Sequence, residues 1–152
     1  MRLEKYEYRH NAELFEVFKQ SEPWWNYHRA QLDSVLLQRE GFVLVANNGK
    51  LVGAIMISDY TPGSDAIVHC SVLPEYHRRW LTRSIYKQVF DFVFDTMGLD
   101  RCTGYVIDGL TPEGFHERLG FKYVGRLRRL IMAKGEKRDL IMYDMLKEER
   151  RW

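Results

Sequence analysis

Residues 65–107 read DAIVHCSVLPEYHRRWLTRSIYKQVFDFVFDTMGLDRCTGYVI, and this stretch decides the fold. Its first part, 65–73, is an apolar run that Pro74 ends, as expected for a buried strand. Apolar residues then recur at helical spacing from Arg79 to Phe94, which predicts an amphipathic helix. A second apolar run at 101–107 predicts another strand. A strand, a helix and a strand in this order predict a parallel pair with a right-handed crossover.

The segments on either side complete a mixed α/β pattern. Asn47, Asn48 and Gly49 separate two apolar runs, which is a strong hairpin signal. The order of one strand, two helices, three strands, a helix, a strand, a short helix and two strands predicts a mixed sheet. The flanking elements are a strand at 2–8, helices that begin at Asn11 and near residue 27, strands at 42–46 and 51–57, a short helix at 112–119, and strands at about 121–132 and 138–146.

Composition places the chain among ordinary globular proteins. It has 152 residues, 45% of them hydrophobic, and a formal charge of +2, which excludes intrinsic disorder. The length predicts one domain over residues 1–152. No uncharged apolar run approaches the length of a membrane span, and the N-terminus lacks a secretory apolar segment. With two cysteines and no zinc-like spacing, we expect a reduced, cytoplasmic protein without a metal.

Three stretches together resemble the GNAT family of acyl-CoA-dependent N-acyltransferases. They are VLPEYHRRWLTRSIYKQV at 72–89, EGFHERLGFKYVGRLRR at 113–129 and GEKRDLIMYDMLKEE at 135–149. The stretch at 113–129 is similar to the family segment FYEKLGF and its continuation, and the stretch at 135–149 resembles the closing strand. The resemblance implies a central mixed, mostly antiparallel sheet of about six or seven strands flanked by about four helices. It also implies transfer of an acetyl group from acetyl-CoA.

The resemblance also implies where acetyl-CoA binds. Backbone groups of the predicted strand at 65–73 would hold the thioester and pantetheine. Amides of the loop that follows, at the start of the next helix, would hold the pyrophosphate. The family keeps small residues where this chain has Trp80 and Thr82. The bulk of Trp80 either reshapes the approach to the loop or packs at the helix start, while nearby arginines supply charge-assisted hydrogen bonds. The implied set is Cys70, Ser71, Val72, His77, Arg78, Arg79, Trp80, Leu81, Thr82 and Arg83.

Two histidines are the catalytic candidates. His116 stands where the family commonly has a tyrosine that protonates the leaving thiolate, and Gly109 stands where it has an asparagine. A histidine can donate a proton near neutral pH, although an exposed helix residue without a catalytic role fits the same pattern. His69 lies in the apolar run, and it is either the base that deprotonates the amine or a core histidine. Asp59 and Asp65 are further candidates for the base.

Aromatic and basic residues are the candidates for acceptor binding. Trp24, Trp25 and Tyr27 form a cluster that suits a core, an interface or the wall of an acceptor pocket. Arg126 and Arg128 share one face of a predicted strand, where they meet either an acidic acceptor or solvent. These alternatives stay open at the level of sequence.

The charge distribution and the departures from the family leave two functions open. Residues 116–152 hold 11 basic and six acidic groups, a net charge of +5, but no nucleic-acid motif accompanies them. Nucleic acid is therefore not expected as a partner. The first function is acetylation of a primary amine on a protein N-terminus, a lysine or a small molecule. The alternative is a catalytically degenerate module that binds a protein partner. A homodimer is among the expected assemblies, because dimers are common in the family.

Overall fold

The computed structural model describes residues 1–24, 28–111 and 114–151, which form seven strands and four helices. This confirms the predicted mixed α/β class. The strands are β1 (Arg2–Lys5), β2 (Glu40–Val45), β3 (Leu51–Thr61), β4 (Asp65–Val72), β5 (Arg101–Ile107), β6 (Lys122–Ala133) and β7 (Glu136–Leu146). The helices are α1 (Asn11–Ser21), α2 (Arg29–Leu36), α3 (Arg83–Asp91) and α4 (Phe115–Leu119). In the described ranges, no helix is both long and apolar enough to cross a membrane.

The chain divides into two compact units. The first unit is Met1–Ser58 with His69–Tyr86, and the second unit is Asp59–Val68 with Lys87–Trp152. Strands β3 and β4 and helix α3 contribute residues to both units. Each unit is described by itself below.

In the first unit, the strands follow the order β1-β2-β3-β4, and β1–β2 and β2–β3 are antiparallel. The predicted hairpin between β2 and β3 is confirmed. Its turn is closed by hydrogen bonds from Ala46 N to Lys50 O and from Gly49 N to Ala46 O, both 2.9 Å. Gly49 adopts φ 84°, a left-handed conformation that glycine reaches without steric cost. The side chains buried in this unit include Leu14, Phe18, Leu32, Leu36, Val43, Leu44, Val52, Met56 and Leu73.

In the second unit, the strands follow the order β4-β5-β7-β6, so β6 is the outer strand. β4 and β5 are parallel, with Ile67 opposite Thr103, which confirms the predicted parallel pair. β5–β7 and β6–β7 are antiparallel. The helix predicted at 112–119 is α4, which begins at Phe115 and ends before Gly120. Residues 112 and 113 lie outside the described residues.

The outer strand β6 is irregular. Its register against β7 shifts between Tyr123 and Gly125 and again between Leu127 and Ile131. Arg129, inside the latter shift, adopts φ 53°. Such β-bulges bend a strand and increase its twist. The exposed large apolar side chains on this strand are Tyr123, Val124, Leu127, Leu130 and Met132.

Helix α3 begins four residues later than the predicted start at Arg79. Thr82 caps the helix, because its Oγ1 accepts the N–H of Ile85 at 3.2 Å and its carbonyl accepts the N–H of Tyr86 at 2.9 Å. The preceding residues instead form a tight turn that closes on the carbonyl of Tyr76. The predicted helix also ends differently, since residues 92–96 continue α3 as a wider π-type turn.

Candidate active site

The end of β4 lies close to β3 and then turns sharply. Leu73 N donates to Val52 O at 2.9 Å, and a Cβ on Gly53 would lie 2.8 Å from the carbonyl oxygen of Ser71. Because backbone groups alternate direction along a strand, those of Cys70 and Val72 point away from β3. The family resemblance assigns the backbone groups of Cys70, Ser71 and Val72 to the thioester and pantetheine. The carbonyl of Ser71 faces β3 instead, and that of Val72 already accepts a hydrogen bond from His77.

The loop after β4 presents open amides before α3. The amides of Arg79 and Trp80 donate to Tyr76 O at 3.0 and 3.1 Å. The amides of Arg78, Leu81 and Thr82 donate to no group among the described residues. Amides at a helix start attract anions, since the helix dipole places partial positive charge there.

The side chains at the surface of this loop are mostly cationic, and the bulky Trp80 is not among them. Trp80 is buried, with 5% exposure, so its indole packs inside the protein. Arg78 and Arg83 are exposed, and the guanidinium of Arg79 lies 4.8 Å from the centre of the Tyr76 ring. The exposed His77 donates a hydrogen bond from its Nε2 to Val72 O at 2.8 Å. The loop therefore combines open amides with cationic side chains, the chemistry that suits a pyrophosphate.

His69 on β4 is paired with a carboxylate. Its Nε2 lies 2.8 Å from Oε1 of Glu22, the residue that ends α1. The Glu22 side chain is 9% exposed, whereas that of His69 is 39% exposed. The histidine is therefore a partly accessible imidazole with a buried acidic partner, and the interpretation as a fully buried core residue is wrong.

Two serines lie beside this pair. Ser21 Oγ donates to Val17 O at 2.8 Å and lies 2.5 Å from Ser71 Oγ on β4. Cys70, between His69 and Ser71 in sequence, points to the opposite face of the strand. Burial, with a smaller contribution from the Glu22 carboxylate, raises the pKa of the Cys70 thiol above its ordinary value. A thiol that stays protonated is a poor nucleophile, so the half-buried Cys70 is unsuited to a covalent acyl intermediate.

The other catalytic candidate, His116 on α4, lies in an aromatic environment in the second unit. Its ring stacks on Tyr143 with centroids 4.9 Å apart and contacts Phe121 edge-on. A Cβ on Gly104 would lie 3.0 Å from the imidazole, so a side chain at this position would push against the ring. Burial lowers the pKa of His116 to about 4. The ring is therefore uncharged at neutral pH, and the predicted proton-donor role requires its neutral N–H form.

Of the acceptor candidates, the described ones occupy different surroundings. Trp24 is partly buried and follows Glu22 by two residues, while Trp25 and Tyr27 lie outside the described residues. Arg126 donates to Asp108 at 2.6 Å and to Asp139 at 2.9 Å.

Both carboxylates bond to the same nitrogen, Nη1, and the Arg126 side chain is 40% exposed, so its role in acceptor binding stays a prediction. Arg128 is exposed. Over the part of the chain that the structure describes, no three His, Cys, Asp or Glu side chains gather as metal ligands would.

Sequence reasoning missed two residues that the structure places beside the predicted histidines. Glu22 is 47 positions from His69, and Tyr143 comes from the last strand. Neither pairing follows a local spacing rule. The one available signal was the placement of Glu22 directly before the Pro-Trp-Trp sequence, where a charged residue enters an apolar stretch.

Comparison with known proteins assigns the family. A family model described as the acetyltransferase (GNAT) family matches residues 5–121. A relative in Bacillus subtilis, the SPbeta prophage-derived uncharacterised N-acetyltransferase YokL, is 26% identical over 110 residues. That alignment covers 71% of this chain and 62% of the relative, so the chain spans less than two thirds of its length.

Solved structures share the fold at low sequence identity. A point mutant of spermidine N-acetyltransferase SpeG from Vibrio cholerae superposes with a TM-score of 0.81 at 15% identity, covering 97% of this chain and 96% of that one. Ribosomal-protein-S5-alanine acetyltransferase from Vibrio fischeri gives 0.76 at 18% identity, with coverage of 99% and 94%. Since the family model extends over most of the chain, from β1 through α4 to Phe121, the protein belongs to the GNAT acetyltransferase family.

Proposed function

We propose that this protein transfers an acetyl group from acetyl-CoA to a primary amine. The observation that carries the proposal is the loop after β4, where the amides of Arg78, Leu81 and Thr82 are open before α3 and cationic side chains surround them. These groups fit the pyrophosphate of the coenzyme. Trp80, which stands where the family keeps a small residue, is buried and does not cover the loop surface, and the three amides have no partner among the described residues.

The reaction needs a base for the amine and a proton for the departing thiolate. In a direct attack, the amine nitrogen forms a bond to the acetyl carbon, the carbon–sulfur bond breaks, and one amine proton is lost. We propose that His69 takes this proton, because it is partly exposed on β4 and borders the residues proposed to hold the thioester. His116 stays the residue predicted to protonate the departing thiolate.

For the acceptor we propose a chemical class, the primary amines. The structural neighbours include proteins named for spermidine and for the alanine of a ribosomal protein, which support a small polyamine and a protein N-terminus as the first acceptors to test.

We propose that residues 1–152 act as one acyltransferase domain, because the family model runs through both compact units. A cytoplasmic location agrees with two free cysteines.

Titration of acetyl-CoA tests the proposal. At about 100 times its dissociation constant, a ligand adds about 2.7 kcal/mol to the free energy of unfolding, so the melting temperature should rise by about 5–11 °C. Arg78→Glu should weaken binding by at least tenfold, because it reverses a charge beside the open amides. Lys137→Glu, on β7, is the matched control. No heat and no thermal shift at millimolar acetyl-CoA would refute the proposal.

Acceptor activity is measured separately. Release of the coenzyme thiol is followed with spermidine, with a peptide that begins with alanine, and with a lysine-containing peptide blocked at its N-terminus. A rate that depends on the acceptor supports acetyl transfer. Binding of acetyl-CoA with no turnover on any amine would instead favour the other candidate function.

That other candidate is a module that binds a protein partner. The observation in its favour is the outer strand β6, where Tyr123 and Leu130 are about 60% exposed and arginines lie between the apolar side chains. Exposed apolar groups of this density often mark interaction sites. Replacing Leu130 by Asp should abolish partner binding in that case, and should leave acetyl-CoA binding unchanged in either case.

A further inference from the structure

We infer that Glu22 is a positioning residue that holds the His69 imidazole in its Nε2–H form, so that Nδ1 is the atom that takes the proton from the acceptor amine. The inference rests on the proposed function and adds to it the atom that acts as base and the group that selects it. Nothing in the sequence motifs or in the family comparison points to Glu22.

The hydrogen bond decides the tautomer. An ionised carboxylate can only accept hydrogen bonds, so the 2.8 Å contact between Glu22 Oε1 and His69 Nε2 requires the hydrogen on Nε2. A neutral imidazole carries one ring hydrogen, which leaves a lone pair on Nδ1. Nδ1 makes no hydrogen bond to any group in the described parts of the chain. The free lone pair is thus the one that a base needs.

Glu22 is held firmly enough to orient the ring. Its backbone N–H donates to Phe18 O at 2.9 Å, which ends α1 in a defined conformation, and its side chain is 9% exposed. A carboxylate with little access to water interacts more strongly with its partner than an exposed one does. The geometry of the pair is therefore set by the fold rather than by a mobile surface contact.

A serine pair fastens the same helix end to the same strand. Ser21 Oγ gives its hydrogen to Val17 O at 2.8 Å, so at the 2.5 Å contact with Ser71 it accepts the Ser71 hydrogen. Ser71 and His69 are two residues apart on β4 and therefore share a face of the strand. The serine bond and the Glu22–His69 bond thus lie side by side. Together they fix the last turn of α1 against the position of the proposed base.

A purely structural ion pair is the alternative to a positioning role. Such a pair would hold α1 against β4 without affecting which nitrogen is protonated during turnover. The exposures favour the positioning role, because the His69 side chain is 39% exposed and a base needs access to the acceptor. A histidine with only a structural role gains nothing from an accessible lone pair.

The first test needs no substrate. Uniform ¹⁵N labelling of the histidines gives ring-nitrogen shifts that distinguish the two neutral tautomers, and His69→Gln assigns the signal of His69. We expect the full-length protein to show His69 in the Nε2–H form. In Glu22→Gln the side-chain amide can donate or accept, so we expect a mixture of forms. Observation of the Nδ1–H form in the unsubstituted protein would overturn the inference even if the variants fail to fold.

Turnover supplies a further test. Glu22→Gln should lower kcat at least tenfold while the KM for acetyl-CoA changes less than about twofold. The double variant Glu22→Gln/His69→Gln should be no slower than His69→Gln alone, because a residue that acts through His69 has no effect once His69 is gone. Glu16→Gln is the matched control, since Glu16 lies on the exposed side of α1 and, among the described residues, its carboxylate pairs only with Lys19 at 3.5 Å.

The outcomes separate this inference from the proposed function. Additive losses in the double variant, or an unchanged kcat in Glu22→Gln, would overturn the role of Glu22 while an active enzyme upheld the proposed function. An unsubstituted protein that binds no acetyl-CoA and acetylates no amine would overturn both. A serine control completes the set, since Ser71→Ala should reduce kcat less than Glu22→Gln does.

Discussion

The stability of the protein should fall in mildly acidic solution because His116 must remain uncharged in the folded state. Burial among aromatic rings lowers its pKa from 6.5 to about 4. Between these two pH values the unfolded chain binds a proton at His116 that the folded chain does not. The free energy of unfolding therefore falls as the pH falls. One pKa unit corresponds to about 1.4 kcal/mol. The full loss, reached below the folded-state pKa, is about 3 kcal/mol.

Most of this loss should be visible before other groups interfere. Between pH 7.5 and pH 5 the expected fall is about 2 kcal/mol. The carboxyl groups with lowered pKa values, such as Asp95 beside Arg150 and Asp139 beside the Arg129 amide and Arg126, become protonated only at lower pH. Their contribution therefore appears below the window in which His116 acts.

Urea unfolding at several pH values measures the effect, with His116→Phe as the comparison. Phenylalanine keeps an aromatic ring beside Tyr143 and Gly104 but has no proton to bind. The variant should therefore lose about 2 kcal/mol less than the parent between pH 7.5 and pH 5. Parallel pH dependences for the two proteins, or an NMR titration of His116 near pH 6.5 in the folded state, would refute the reasoning.

Three further predictions concern the N-cap of α3, a glycine of β3 and the two cysteines. Thr82→Ala should lower the free energy of unfolding by about 1 kcal/mol, because α3 loses its N-cap hydrogen bond; Thr82→Ser, which keeps the hydroxyl, should restore it in the same denaturation assay. Gly53→Ala should cost about 1–3 kcal/mol, because the new methyl would meet a backbone oxygen at 2.8 Å that cannot move aside; a melting temperature equal to that of the parent would contradict this. Cys70 and Cys102 should react slowly with a disulfide reagent at pH 8 in the folded protein and quickly in urea, because burial raises both thiol pKa values.

The strand and helix order could be predicted from the sequence because its signals are local. The Asn47–Gly49 turn and the apolar runs around it fix the hairpin through turn geometry and hydrophobic spacing. The start of α3 could not be placed correctly, because the apolar spacing continues upstream of the cap. Only the hydroxyl of Thr82 and the turn that closes on Tyr76 decide where the helix begins.

The sequence predicts individual residues of the candidate site but not the residues that contact them. It identifies His69 as a base candidate on β4, but the partner Glu22 comes from the end of α1, which tertiary packing alone brings near. It identifies His116 from its position in a motif. The lowered pKa of His116 depends on Gly104 and Tyr143, which lie on two other strands. Long-range packing therefore determines the chemistry of both histidines.

The bulges in β6 bear on how the protein behaves at high concentration. An outer strand that is flat and apolar offers its free backbone groups to other molecules, which leads to aggregation. In β6 the pairing with β7 runs without a break only over residues 122–123, 125–127 and 131–133. Each break turns the strand, so another chain cannot extend the sheet along its whole length. We therefore expect β6 to be a poor template for fibril growth although it exposes Val124, Leu130 and Met132 to solvent.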